Sequence, residues 1–247
     1  MKKITRTLLI FAGVSAIALS ADAQKKEFAG TVQVQGMFRP SKLGQLNGIL
    51  NANSIPSLPE NNYWLNLSMN RIYKKFVFED GIGASFTSTS EANTVNGIKA
   101  KYNQFQVFGR FGYDIANNPK MRAFPFVGVN FSQGMLRIRD DNRVQSQPNF
   151  SNQLLNQSAS KTLWNPRFGL EFGGGFDYLI GVKDKQVDNY TIHRAIPLGV
   201  RFGYYLQTSD SNWKTDSNYD LANGPNNKQS AVFVNVNIGL GYKVQRP

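Results

Sequence analysis

The sequence predicts an all-β chain, an eight-stranded antiparallel up-and-down transmembrane β-barrel, and three observations carry that reading. Past residue 24, apolar and polar residues alternate with a period of two in one segment after another. The connections between these segments alternate between long and short, as external loops and periplasmic turns do in outer-membrane barrels. The polar rows carry charges and glycines near mid-segment, which suits a narrow lumen better than the core of a soluble sandwich.

Residues 1 to 23 stand apart. Lys2, Lys3 and Arg6 form a basic start, residues 8 to 19 are apolar, and Ala21-Asp22-Ala23 offers a small-residue cleavage site, so a signal peptide is expected, with the barrel domain over residues 24 to 247. A retained membrane anchor is the alternative. A lipoprotein anchor is excluded because the chain has no cysteine. An exported chain without disulfides needs another source of stability, and a closed barrel provides one by leaving no strand edge.

The expected strands follow in order. Residues 28 to 38 set Phe28, Val32, Val34 and Phe38 against Thr31, Gln33 and Gln35. Residues 63 to 73 set Tyr63, Leu65, Leu67 and Met69 against Asn66, Ser68 and Asn70. Residues 81 to 89 set Ile82, Ala84 and Phe86 against Gly83, Ser85 and Thr87, and residues 100 to 113 set Phe105, Val107, Phe111 and Tyr113 against Gln104, Gln106 and Arg110. The fifth segment, 123 to 134, is mixed, since Val127, Val129 and Phe131 alternate with Phe124, Phe126, Gly128 and Asn130. Residues 163 to 180 set Phe168, Leu170, Phe172, Phe176 and Tyr178 against Arg167, Gly169, Glu171, Gly173, Gly175 and Asp177. Residues 195 to 208 set Ile196, Leu198, Val200, Phe202 and Tyr204 against Gly199, Arg201, Gly203 and Gln207. Residues 231 to 244 close the series, with Val232, Val234, Val236, Ile238, Leu240 and Tyr242 against Asn235, Asn237, Gly239, Gly241 and Lys243.

The long connections are then 39 to 62, 90 to 99, 135 to 162 and 209 to 230, and the shorter ones 74 to 80, 114 to 122 and 181 to 194. No convincing helical period follows the signal segment. In a lipid-facing barrel the apolar rows lie outside and the polar rows inside, with opposite charges paired where they lose water. Glu171 and Arg201 are expected to form such a pair across adjacent strands, joined by Arg110 or Arg167.

The segments PRFGLEFGGGFDYLI (166 to 180), AIPLGVRFGYYL (195 to 206) and AVFVNVNIGLGYKV (231 to 244), with Gln24 after an alanine, resemble the eight-stranded outer-membrane barrels of the OmpA and OmpX type. The resemblance is closer to the PorT-like outer-membrane β-barrel family, abundant in Bacteroidetes. It implies the bacterial outer membrane, outer-membrane lipid as surroundings, and insertion by the barrel assembly machinery. Such barrels often end in an aromatic residue, whereas this chain ends VQRP.

Chemistry-bearing motifs are few. His193 is the sole histidine and falls in an expected periplasmic turn, away from the outer rim where barrel enzymes place theirs. With one histidine and no cysteine, no zinc cluster can form. Asp140, Asp141, Asp210, Asp216 and Asp220 lack the spacing of a calcium loop, and neither Gly173-Gly174-Gly175 nor GPNNKQS (224 to 230) has the context of a phosphate loop. No catalytic, cofactor or metal site is therefore expected. The formal net charge of +12 suits anionic head groups, and no basic stripe interleaved with aromatics marks a nucleic-acid surface. Ile49, Ile55, Leu58, Phe150, Leu154 and Leu155 on long loops are candidate contacts for a protein partner or surface ligand. The expected function is an integral barrel with a structural or loop-binding role, without catalysis or an open pore. The alternatives are a secreted lipocalin-like carrier and a barrel enzyme acting on lipid or protein.

Overall fold

The computed structural model describes residues 27–86, 88–89, 97–116, 118–140, 160–187, 190–209, 212–225 and 228–245. The signal segment lies outside the described residues. In chain order the elements are β1 (Glu27–Phe38), α1 (Gly44–Ala52), β2 (Tyr63–Tyr73), β3 (Phe76–Ser85), β4 (Ser88–Thr89), β5 (Ile98–Tyr113), β6 (Met121–Asp140), β7 (Ser160–Val187), β8 (Tyr190–Gln207), β9 (Lys214–Thr215) and β10 (Ala231–Gln245). The two-residue β4 and β9 lie outside the ring, which leaves eight main strands. Each pairs antiparallel with its sequence neighbour, β3 pairs with β5, and β10 returns to β1, so the sheet is a closed up-and-down barrel.

Side-chain burial is inverted relative to a soluble protein. Gln35, Asn66, Glu171, Arg201 and Asn235 are at most 1% exposed, while Val32, Leu67, Val127, Val236 and Leu240 are 51 to 73% exposed. Apolar rows on every main strand thus face outward as a lipid-facing band, and each main strand has a hydrogen-bonded neighbour on both sides, which is what a hydrocarbon environment demands. Among the described residues no helix is long and apolar enough to cross a membrane, so the crossing is made by strands. This is a transmembrane barrel of the bacterial outer-membrane type.

Several elements differ from the sequence-based expectation. The turn expected over 74 to 80 is two residues, Lys74 and Lys75, and β3 begins at Phe76 instead of Gly81. The acidic pair Glu79-Asp80 reads as a turn, yet Glu79 points into the barrel and Asp80 outward to Arg71. The last short turn, expected over 181 to 194, is mostly strand: β7 reaches Val187, β8 starts at Tyr190, and an irregularity between Val182 and Lys185 absorbs the charged stretch. At the opposite end β6 reaches Asp140 and β7 starts at Ser160, so the expected 135 to 162 loop shrinks from both sides. The mixed fifth strand resolves with Val127 and Phe131 outward and Phe124, Phe126 and Asn130 inward.

The segment expected to be a plain loop at 39 to 62 contains α1. Leu43, Leu46 and Leu50 recur on one face and are buried, a helical spacing too short to stand out in sequence. They join Ile55, Leu58, Ala100, Tyr102, Leu136 and Trp213 in an apolar core at the long-loop end. That core is a cap over the mouth. It is tied to the 208 to 230 segment by Lys42 and Gln229: the Lys42 amide donates to Gln229 Oε1 (3.1 Å), and Gln229 Nε2 donates to the Lys42 carbonyl (2.7 Å).

Candidate functional site

Period-two alternation and the strand register together bring an ordered set of polar side chains into the lumen. Arg201 on β8 donates from both terminal nitrogens to the Asp177 carboxylate (2.7 and 3.0 Å), and from Nε to Glu79 Oε2 (3.2 Å). Glu79 on β3 also receives Arg110 Nη1 (3.2 Å), and Arg110 Nε donates to Glu171 Oε2 (2.7 Å). Arg39 Nη1 stands 3.9 Å from Glu171 Oε1. Three guanidiniums thus alternate with three carboxylates, and the ladder is neutral. Charge balance matters here, because a buried ion is tolerated only when paired and hydrogen-bonded.

Amides complete the network. Gln35 Nε2 donates to Ser68 Oγ (2.6 Å) and Glu79 Oε1 (2.5 Å), and Asn235 Nδ2 donates to Gln35 Oε1 (2.6 Å). Asn130 Nδ2 donates to Glu171 Oε1 (2.6 Å), and Asn237 Nδ2 to Asp177 Oδ1 (3.1 Å). Every main strand contributes at least one side chain to this connected set. Aromatic rings fill the space between the ions: Arg110 lies over Phe108 (4.3 Å), Arg201 over Phe124 (4.7 Å), and Arg39 over Trp64 (4.4 Å) and Tyr205 (4.7 Å). Cation–π contacts of this kind strengthen when water is excluded.

Glycine makes room for the ladder, and Gly175 and Gly128 do so beside its arginines. A Cβ at Gly175 would come within 2.6 Å of the Phe124 ring and 2.8 Å of Arg201 Cδ. One at Gly128 would meet the Gly109 carbonyl at 2.6 Å and Arg110 Cγ at 2.9 Å.

Of the residues expected in this network, Glu171, Arg201 and Arg110 are in it, but not as a direct Glu171–Arg201 pair. The register sets Glu171 opposite Tyr205 and Arg201 opposite Gly175, an offset of four residues or about 13 Å along the strand, so Arg110 and Glu79 bridge the gap. Arg167 stays outside the ion ladder. It sits opposite Ser132, four residues nearer the cap than Glu171, and meets Gln104 Oε1 (3.4 Å) and the Tyr102 ring instead. Sequence reasoning missed Glu79, Asp177 and Arg39 as members. The signal for Glu79 was the run FVFEDGIG, in which Val77, Glu79, Gly81 and Gly83 share one face.

The loop candidates separate. Ile55 and Leu58 are buried in the cap core and hold the loop down, whereas Ile49 is 43% exposed on the cap surface. Phe150, Leu154 and Leu155 lie outside the described residues, as do Asp141 and Asp210. Tyr219, not singled out in sequence, is 73% exposed on the other cap segment. Asp216 accepts from Trp164 Nε1 (2.9 Å) and Asp220 pairs with Lys214 Nζ (3.1 Å). Among the described residues no group of His, Asp and Glu is arranged to hold a metal ion. His193 lies near the short-turn end of β8, with Nδ1 2.9 Å from Asp184 Oδ2.

No protein-family model and no curated protein matches the chain. Solved structures that it resembles include Ail, the attachment invasion locus protein of Yersinia pestis, at 10% identity and a TM-score of 0.37, covering 89% of this chain and 99% of that one. A major outer membrane protein from Thermus thermophilus matches at 11% identity and a TM-score of 0.40, covering 87% and 98%. The outer membrane protease OmpT of Escherichia coli matches at 9% identity and a TM-score of 0.31, covering 91% and 98%. At such identity the likeness concerns architecture alone, and the barrel assignment stands on the closed strand ring and the inverted burial of this chain.

Proposed function

We propose that this protein is a closed, non-conducting and non-catalytic outer-membrane barrel that presents its capped external end to a partner. The carrying observation is the lumen itself. A network with members from all eight main strands crosses it, and an apolar core lies over the external mouth. An eight-stranded barrel has an interior just wide enough for side chains to fill, so such packing is expected to leave no continuous water path.

Binding is then assigned to the cap. Ile49 and Tyr219 expose apolar surface on segments whose backbones are fixed by buried leucines and by the Lys42–Gln229 bonds, and rigid loops at the rim of a scaffold are where recognition concentrates. The position of His193, at the end away from this rim, supports a role without catalysis. Insertion by the barrel assembly machinery belongs to the same proposal.

Planar-bilayer recording of the purified protein tests the closed lumen. No stable single-channel steps are expected. Sustained ion-selective conductance that vanished on plugging the lumen would move the function from the cap to a pore. An I49S/Y219S variant should keep its heat-dependent gel shift while losing any partner captured in mild detergent.

A further inference from the structure

The outer face of β5 and β6 changes character toward the long loops. Phe105 and Phe131 are exposed rings of the lipid-facing band, and the outward positions beyond them run Asn103, Lys101, Lys99 on β5 and Gln133, Met135, Arg137, Arg139 on β6. The register sets Lys101 opposite Arg137 and Lys99 opposite Arg139. Directly opposed residues lie about 5 Å apart at Cβ, and like charges there repel. Lys99 and Arg139 have further contacts of their own, so the inference rests on Lys101 and Arg137. Both are exposed. Toward the short-turn end, by contrast, the outward Arg71 is neutralised by Asp80 of the next strand.

The repulsion cannot be relieved by moving the strands. Between and beside the cations Ala100, Tyr102 and Leu136 point inward and are locked in the cap core. An external anion between the two cations would offset it. Lys101 lies four positions from Phe105, about 13 Å along the strand and about 10 Å along the membrane normal for a strand tilted by about 40°, which places the cations at head-group depth. They also face sideways, in line with Phe105 and Phe131, so a lipid whose chains lie on that band would bring its head group to them. An arginine fork and a lysine point charge side by side suit a phosphate.

We propose that Lys101 and Arg137, with Lys99 and Arg139 beside them, bind the phosphate of a glycolipid in the outer leaflet, whose acyl chains lie along the band below. The test uses the full chain in phosphatidylcholine nanodiscs, titrated with diphosphorylated lipid A, with the same lipid lacking its phosphates, and with inorganic pyrophosphate. Diphosphorylated lipid A should bind and raise the temperature of the gel shift. K101Q/R137Q should weaken that binding roughly tenfold or more, since charge-assisted contacts are removed. K183Q/K185Q, at the opposite end, should leave it unchanged. Equal binding of the dephosphorylated lipid overturns the phosphate, and pyrophosphate binding as tight as the lipid overturns the membrane source. Unchanged affinity in a folded K101Q/R137Q overturns the site. Should that variant not fold, binding to the wild-type chain must still weaken as salt rises, and salt-independent binding rejects the proposal.

Discussion

Within the membrane β5 points Arg110, Gln106 and Gln104 into the barrel and Phe111 and Phe105 out of it; past Asn103 the same strand points Tyr102 and Ala100 in and Lys101 out. β6 makes the same exchange, from Asn130 and Ser132 inward to Leu136, and from Val127 and Phe131 outward to Arg137. The alternation keeps its phase throughout. What changes is the medium outside, lipid along one stretch and head groups or water along the next. Register decides which way a side chain points, and the surroundings decide what chemistry that face must carry. The lumen and the cap are therefore two cores under opposite rules on shared strands, one polar inside lipid and one apolar beneath water.

The two cores should break differently. Glu79 holds Arg110 and Arg201 at once, so Glu79→Gln leaves two buried guanidiniums around a neutral amide and should destabilise the barrel by about 3 to 5 kcal/mol. Denaturant titration followed by the gel shift measures it. Glu171→Gln should do less, because it breaks one close ion pair, to Arg110, and a 3.9 Å contact to Arg39, whereas Glu79→Gln breaks two close pairs at once. A loss from Glu171→Gln equal to that from Glu79→Gln would show that the ladder has no hub.

A charge placed on the lipid side probes the outer rule. Val236, 59% exposed in the middle of the β10 row, should lose about 2 to 4 kcal/mol on change to arginine, the usual range for that side chain near the bilayer midplane. The smallest effect belongs to the cap. Gln229→Ala removes two hydrogen bonds to Lys42, about 1 kcal/mol each, and should speed hydrogen exchange over residues 39 to 62 while the barrel's gel shift stays in place. If the barrel melted with it, cap and lumen would be one cooperative unit.

The outline of this architecture was legible because the period of two is a local property. Seven of the strand phases follow from alternation alone, and even the mixed β6 obeys it once Phe124 and Phe126 are placed against arginines in the lumen. The ladder was legible only in part. Its bonds join residues far apart in sequence, Arg201 to Glu79 across 122 positions, and depend on a register that no single strand reveals. Glu79 was hidden by its neighbour Asp80, which made a strand look like a turn. α1 was hidden by its length, since nine residues held by tertiary packing leave little periodic trace.

The seam between β1 and β10 sets a condition on how the molecule comes into being. All 12 residues of β1 pair with β10, and the Gln35–Asn235 bond spans 200 positions. Contacts so remote form late and slowly. Until β10 arrives, β1 would offer a bare edge whose amides and carbonyls have no partner in hydrocarbon, at several kcal/mol for each group. A half-built barrel thus has no stable place in the bilayer interior. The strands must gather where their edges are shielded and shut as the last one docks, which makes insertion and closure a single event.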